Sequence, residues 1–171
     1  AALRDLKLTG VNGRVEVVDE FLAAWQPPRA DVAFRMRLYR LGTSVIEALA
    51  AGIAVEPLAR YFEFWLLRLQ GVYPTLSACP ECGSLFDGGA VMPPREHQFL
   101  CRRCAPAAGG TSVSMNAMRF LKAASAAAPD AMRTVPLDAA AARELETAHS
   151  RLINAFVITP LSSTRVKIPS S

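Results

Sequence analysis

All four cysteines of the chain lie in two C-x-x-C pairs within "CPECGSLFDGGAVMPPREHQFLCRRC", residues 79–104, with helix-patterned sequence on either side. Each C-x-x-C closes a tight turn that aims two sulfurs at one point. The eighteen residues between Cys82 and Cys101 are enough for a hairpin that returns the second pair to the first. In a reducing compartment two structural disulfides are disfavoured, and metal binding becomes the natural use of four thiols. Zinc is the expected ion. Cys79, Cys82, Cys101 and Cys104 would fill a tetrahedral sphere with no position left for water, so the site is expected to be structural, a staple on the fold. Free or disulfide-bonded cysteines are the bland alternative, and redox chemistry the other. Redox chemistry needs a strand-to-helix setting, whereas "YPTLSA" before Cys79 and Gly83 after Cys82 suit a zinc-knuckle turn. His97, four residues before Cys101, is read as a surface histidine because the ligand set is already complete.

Inside the loop, Gly88 and Gly89 mark a turn and "EHQFLC" alternates like a short strand leading into the second knuckle. Upstream, "EPLARYFEFWLLRLQGVYP", residues 56–74, repeats Leu58, Tyr61, Phe62, Trp65, Leu66 and Leu69 at spacings of three and four. That predicts a core helix, opened by Pro57 and ended by Gly71 and Pro74. Residues 30–52 predict a longer helix that Gly42 could bend, with Arg35, Arg37 and Arg40 along its polar side. "RVEVVDEFLAAWQ" predicts an earlier helix closed by Pro27 and Pro28, and "LRDLKLTGVNG" a strand and turn. Downstream, "TSVSMNAMRFLKAASAA" carries cap candidates before Met115, Met118, Phe120 and Leu121. Residues 136–158 offer Asp138 as an N-cap ahead of Leu145, Ala148, Leu152, Ile153 and Phe156. The fold expected from the residues is mainly α: a helical domain with an inserted four-cysteine zinc ribbon, itself a small β-hairpin.

An apolar share of 51% supports a real core, and a net charge of +4 with a pI near 9.1 allows nucleic-acid or acidic-peptide contact without demanding it. The sequence has no run of eighteen apolar residues and no signal-peptide pattern, so a cytoplasmic protein with no membrane contact is expected. G-x-S-x-G, Walker A and H-E-x-x-H motifs are absent, and His149 stands on the last helix without an obvious partner. Asp19 with Glu20, and Glu144 with Glu146, read as solvated face charges rather than acid–base pairs. No enzyme is expected.

"ARYFEFWLLRLQGVYPTLSACPECG" resembles the segment of the bacterial recombination mediator family RecO in which a phenylalanine–glutamate helix rich in leucine leads through glycine and proline into a C-x-x-C-G knuckle. The second pair "CRRC", a serine-led helix, and a final helix ending in "PLSS" before a basic tail come in the family's order. The likeness runs from roughly residue 30 to residue 168, most specifically over 60–83 and 101–104. It implies that residues 29–171 form a RecO-like helical domain with the zinc ribbon inserted at 76–106. Residues 1–28 would be a remnant or linker after an amino-terminal OB-fold that this sequence lacks, apart from at most a last strand in "LRDLKLTG". The chain would then be a fragment or a shortened relative.

The resemblance also implies a mediator of DNA repair and recombination, bacterial, cytoplasmic and nucleoid-associated. Its partners would be the acidic, phenylalanine-ended tail of single-stranded DNA-binding protein, the ring-forming RecR, and single- and double-stranded DNA. Its work would be strand annealing and recombinase loading, with no bond chemistry. A pocket for such a tail needs an apolar seat for the ring and a cation for the carboxylate, and Arg60 beside Tyr61 is the candidate. Arg102 and Arg103 at the second knuckle, and Arg165 and Lys167 in the tail, are candidate phosphate contacts. Two other classes stay open: a stand-alone zinc-ribbon scaffold that docks on a protein complex, and a direct DNA binder acting through the ribbon.

Overall fold

A computed structural model describes residues 29–107 and 109–158. The chain divides into two compact units, Ala1–Arg35 and Met36–Ser171. Of the first, only the opening of a helix is described; the second holds the rest of that helix and the later described elements. The strand and helix expected before residue 27 and the basic tail lie outside the described residues.

The elements in chain order are α1 (Arg29–Ala50), α2 (Val55–Leu69), β1 (Ala90–Met92), β2 (Thr111–Val113), α3 (Met115–Ala126), a 3-10 turn (Pro129–Arg133) and α4 (Ala139–Ile153). A π-helical turn, Asn154–Ile158, continues α4. Helix α1 passes through Gly42 without a break and turns Val45 and Ala48 inward. It ends where Gly52, at φ +81°, donates to the Leu49 carbonyl and Ile53 to that of Ala48. Helix α2 ends the same way. Gly71, at φ +73°, donates to Arg68 O and Val72 to Leu67 O, so the last carbonyls are satisfied and the chain is turned towards the first knuckle.

The buried line of α2 is Leu58, Tyr61, Phe64 and Leu67. Phe62, Trp65, Leu66 and Leu69, expected on the same face, are half-buried flanks. In "FEFWLLRL" nearly every position is apolar, so periodicity alone does not choose among neighbouring stripes, and packing on α4 and α3 decides it. Two polar tips fix the choice: Trp65 Nε1 donates to Ala124 O at 3.0 Å, and the Tyr61 hydroxyl donates to Ala127 O at 3.1 Å. Helices α3 and α4 start where their caps were read. Ala117 N–H donates to Ser114 Oγ at 3.3 Å, and Ala141 N–H to Asp138 Oδ1 at 2.8 Å.

The ribbon pairs differently from the expected hairpin. Strand β1 lies antiparallel to β2, Ala90 opposite Val113 and Met92 opposite Thr111, so the pairing runs past residue 106 to the residue before the α3 cap. The "EHQFLC" segment supplies only a single bridge, Leu100 to Val91, with both backbone bonds at 2.9 Å. Pro93 and Pro94, directly after β1, have no N–H to give a ladder, and the chain must leave the sheet there. Phe86, Met92, Phe99, Leu100 and Val113 from the ribbon join Phe64, Leu67, Met118, Phe120, Leu121, Leu145 and Leu152 from the helices in one buried cluster. No helix among the described residues is long and apolar enough to cross a membrane.

Candidate metal centre

Two knuckle turns build the site. Gly83, at φ +72°, donates to Cys79 O at 2.8 Å while Cys79 N–H donates to Ser84 O, which folds Cys82 back over Cys79. On the far side Cys104 and Ala105 both donate to Cys101 O, at 3.1 and 2.9 Å. The Ala78–Leu85 bridge closes the first turn at its base, and the Val91–Leu100 bridge carries the chain back into the second. The ligand atoms of Cys79, Cys82, Cys101 and Cys104 all lie within 4.8 Å of one another, and Cys82 Sγ is 3.6 Å from Cys101 Sγ. Sulfurs at the corners of a tetrahedron around zinc, each ~2.3 Å from the ion, are ~3.8 Å apart, so the four thiols fit such an ion. Four cysteines in this arrangement can bind a metal ion.

The surroundings favour thiolates at the first knuckle. Hydrogen bonds from the Ser84 hydroxyl and amide bring Cys82 down to about 6. Burial pushes Cys79 up, but backbone hydrogen bonds around Cys101, Cys82 and Glu81 outweigh it and leave the thiol lowered. Cys104, sharing hydrogen bonds with Cys82 and then Cys101, is pushed up to about 12, as one member of a metal-free thiol cluster that keeps its proton longest. Arg103 donates to Ser84 Oγ at 2.7 Å, and the Cys82 thiolate beside it holds its guanidinium above the usual value. Arg103 therefore belongs to the knuckle's own charge balance before it is a phosphate contact. Arg102 is exposed and lines a shallow groove with Pro106, Ala107 and Ser112. His97 is exposed, its ring edge-on to Phe156 at 4.8 Å, and it takes no part in the cluster. Arg165 and Lys167 lie outside the described residues.

Arg60 and Tyr61 are corrected by their burial. Arg60 is 7% exposed, with Nε 3.5 Å from Glu56 and Nη1 3.2 Å from Glu63. These are ion-pair distances without hydrogen-bond alignment. The charge is held by two carboxylates of its own helix and is not presented to an incoming peptide. Tyr61 is 5% exposed and spends its hydroxyl on Ala127. Neither forms a surface seat.

Three residues carry more than the sequence indicated. His149 is fully buried and does have partners: Nδ1 is 3.0 Å from Glu63 Oε2, and Nε2 is 2.8 Å from the Tyr73 hydroxyl. Its place between Leu145 and Leu152 on the apolar stripe of α4 was the available signal. Arg151 reaches from α4 into the ribbon and donates to the carbonyls of Met92, Pro93, Pro94 and Glu96 and to Thr111 Oγ1. Glu144, read as a solvated charge, accepts from Ser114 N–H at 2.7 Å and closes the start of α3. On the other flank of the ribbon, Phe86, Met115 and Met118 floor a cavity of about 210 Å³ bordered by Asp87, Arg119 and Lys122.

The family model "Recombination protein O C terminal" matches residues 33–164, a span that contains both knuckles, α2, α3 and α4. Among curated proteins, the DNA repair protein RecO of Pelobacter propionicus is 37% identical over 68 residues, 40% of this chain and 28% of that protein. The RecO of Koribacter versatilis is 33% identical over 86 residues, 50% of this chain and 32% of the relative. That of Exiguobacterium is 31% identical over 100 residues, 58% and 39% respectively. The chain thus spans only 28% to 39% of the length of these relatives. No solved structure matches. With a model match that covers most of the chain and includes the four clustered cysteines, this chain belongs to the family of RecO carboxy-terminal domains.

Proposed function

We propose that this chain is the helical, zinc-stapled part of a bacterial recombination mediator that works in DNA repair, in the cytoplasm and at the nucleoid. It would engage the acidic, phenylalanine-ended tail of single-stranded DNA-binding protein, the partner RecR, and DNA, assisting strand annealing and recombinase loading without bond chemistry. The observation that carries this reading is the family match over residues 33–164. A zinc ion suits the four-sulfur donor set and would act as a structural ion.

With Arg60 turned inward, the tail needs another seat. The cavity floored by Phe86, Met115 and Met118 offers apolar surface for a phenylalanine ring, and Arg119 and Lys122, one turn apart on α3 and both exposed, offer cations for acidic residues and a terminal carboxylate. The test is calorimetric titration of the zinc-loaded chain with the tail peptide, beside the same peptide lacking its final phenylalanine. Binding that needs the phenylalanine, weakens with salt, and is lost in Arg119→Glu or Lys122→Glu but kept in Arg102→Glu would support the reading. No binding to either peptide by folded, metal-loaded protein would overturn the tail contact and favour a scaffold that docks on a protein complex.

A further inference from the structure

Apart from the Arg151 fork, one set of aromatic and polar contacts between the helices and the ribbon meets at a residue that belongs to neither. Tyr73 lies in the segment between the end of α2 and Cys79. Its ring packs edge-on against Phe64 of α2 at 4.7 Å, against His149 of α4 at 5.5 Å, and against Phe99 of the ribbon at 6.2 Å. Its hydroxyl meets His149 Nε2 at 2.8 Å, and the opposite ring nitrogen meets Glu63 at 3.0 Å. A carboxylate can only accept, so His149 Nδ1 carries the proton and Nε2 accepts from the tyrosine. Every polar atom of this line is satisfied in one protonation state, with the imidazole neutral.

We propose that Glu63, His149 and Tyr73 form a protonation-sensitive latch that holds the segment leading into the first knuckle, and with it the ribbon, against the helical body. Among the described residues, the charged groups nearest the imidazole are Glu63 and, behind it, Arg60 with Glu56, all on α2. The segment contributes Tyr73, and the ribbon contributes the apolar ring of Phe99. A proton can enter only at Nε2. It turns that nitrogen from acceptor to donor, so the Tyr73 oxygen must accept and its own hydrogen loses its partner in a buried place. The cation formed would also stand near the Arg60 guanidinium. Burial holds His149 below the ordinary histidine value, against the upward pull of its bond to Glu63 and of the Glu63 charge. The folded chain therefore takes up this proton less readily than the unfolded one. Stability falls as pH drops through about 6.5 towards the lower folded value, and the latch is closed above that window.

The test is hydrogen exchange on the full chain, zinc-loaded, compared between about pH 7.5 and about pH 6 after correction for intrinsic rates, with nitrogen NMR of the imidazole alongside. In the wild type, residues 72–86 and 97–101 should open up to about fourfold more at the lower pH, the most that an imidazole free to take its proton near 6.5 only in the opened state allows, with 117–124 of α3 unchanged. Tyr73→Phe keeps the ring and should show the opening already at the higher pH. His149→Gln should remove the pH dependence, which separates the latch from protonation of the cysteine thiolates. Equal pH dependence in His149→Gln, an Nε2-protonated tautomer at the higher pH, or opening spread evenly over α3 would each overturn the proposal.

Discussion

Arg151 donates to four carbonyls and a hydroxyl, with no carboxylate partner among the described residues, at a point where two consecutive prolines have no N–H with which to extend the ladder. Met92, Pro93, Pro94 and Glu96 direct their oxygens towards the end of the Arg151 side chain, and a guanidinium fork is the side chain that can meet several of them at once. Lysine carries the same charge but a single point of donation, so Arg151→Lys should lose about 2–3 kcal/mol, measured by urea unfolding, and Arg151→Ala somewhat more. Asp138 works at the other end of α4. Backbone bonds from Ala141, and then the Asn116 side chain, hold its carboxyl below the ordinary value. A lowered carboxylate stabilises the fold above its unfolded value and loses that effect as pH falls through its folded one. Asp138→Ala should therefore show a lower thermal midpoint near neutrality, and the gap to the wild type should narrow as pH falls below the ordinary carboxylate value of about 3.9.

The ribbon is built on close backbone approach. Gly89, at φ +91°, lies so near β2 that a Cβ there would stand 2.6 Å from Val113 O. Gly89→Ala should cost about 1–3 kcal/mol and weaken metal retention, read by thermal unfolding and by release to a chromophoric chelator. Gly42 in α1 has open space around it and helical backbone, so Gly42→Ala should instead add up to ~1 kcal/mol. These elements also show what the sequence could disclose. The knuckles, the caps Ser114 and Asp138, and the Gly71 stop were legible because each is a local device with its own residue chemistry. The stripe of α2 was not, because an almost continuously apolar segment has no preferred side until α3 and α4 are in place. Nor was the partner of β1, since β2 lies beyond the second knuckle and pairing across that distance leaves no periodic trace. Arg60 misled for a related reason. Sequence places it beside an aromatic pair, but only the folded helix shows Glu56 and Glu63 drawing it inward.

At the scale of the whole molecule, the staple and the core are continuous. If the ribbon were an appendage, removing its metal would unfold it alone and leave the helices as they were. The buried cluster argues otherwise, because Phe86, Met92, Phe99, Leu100 and Val113 of the ribbon share one interior with Phe64, Phe120, Leu145 and Leu152 of the helices. Strand β2 runs through Ser114 directly into α3 and packs on α4. Cys79 and Cys101 are themselves buried in that interior. If the four cysteines hold an ion, its loss would leave the clustered sulfurs without the bonds that hold the two knuckle turns together, and would loosen the walls against which α2 and α4 close. Chelation should therefore lower the midpoint of the helical circular-dichroism signal in a single transition, in step with the tryptophan fluorescence of Trp65, which is tied to the end of α3. Cys101→Ser should reproduce the effect without chelator. Two separate transitions, with the helical one unmoved, would mean that the ribbon folds apart from the body and that its aromatic residues only rest against it.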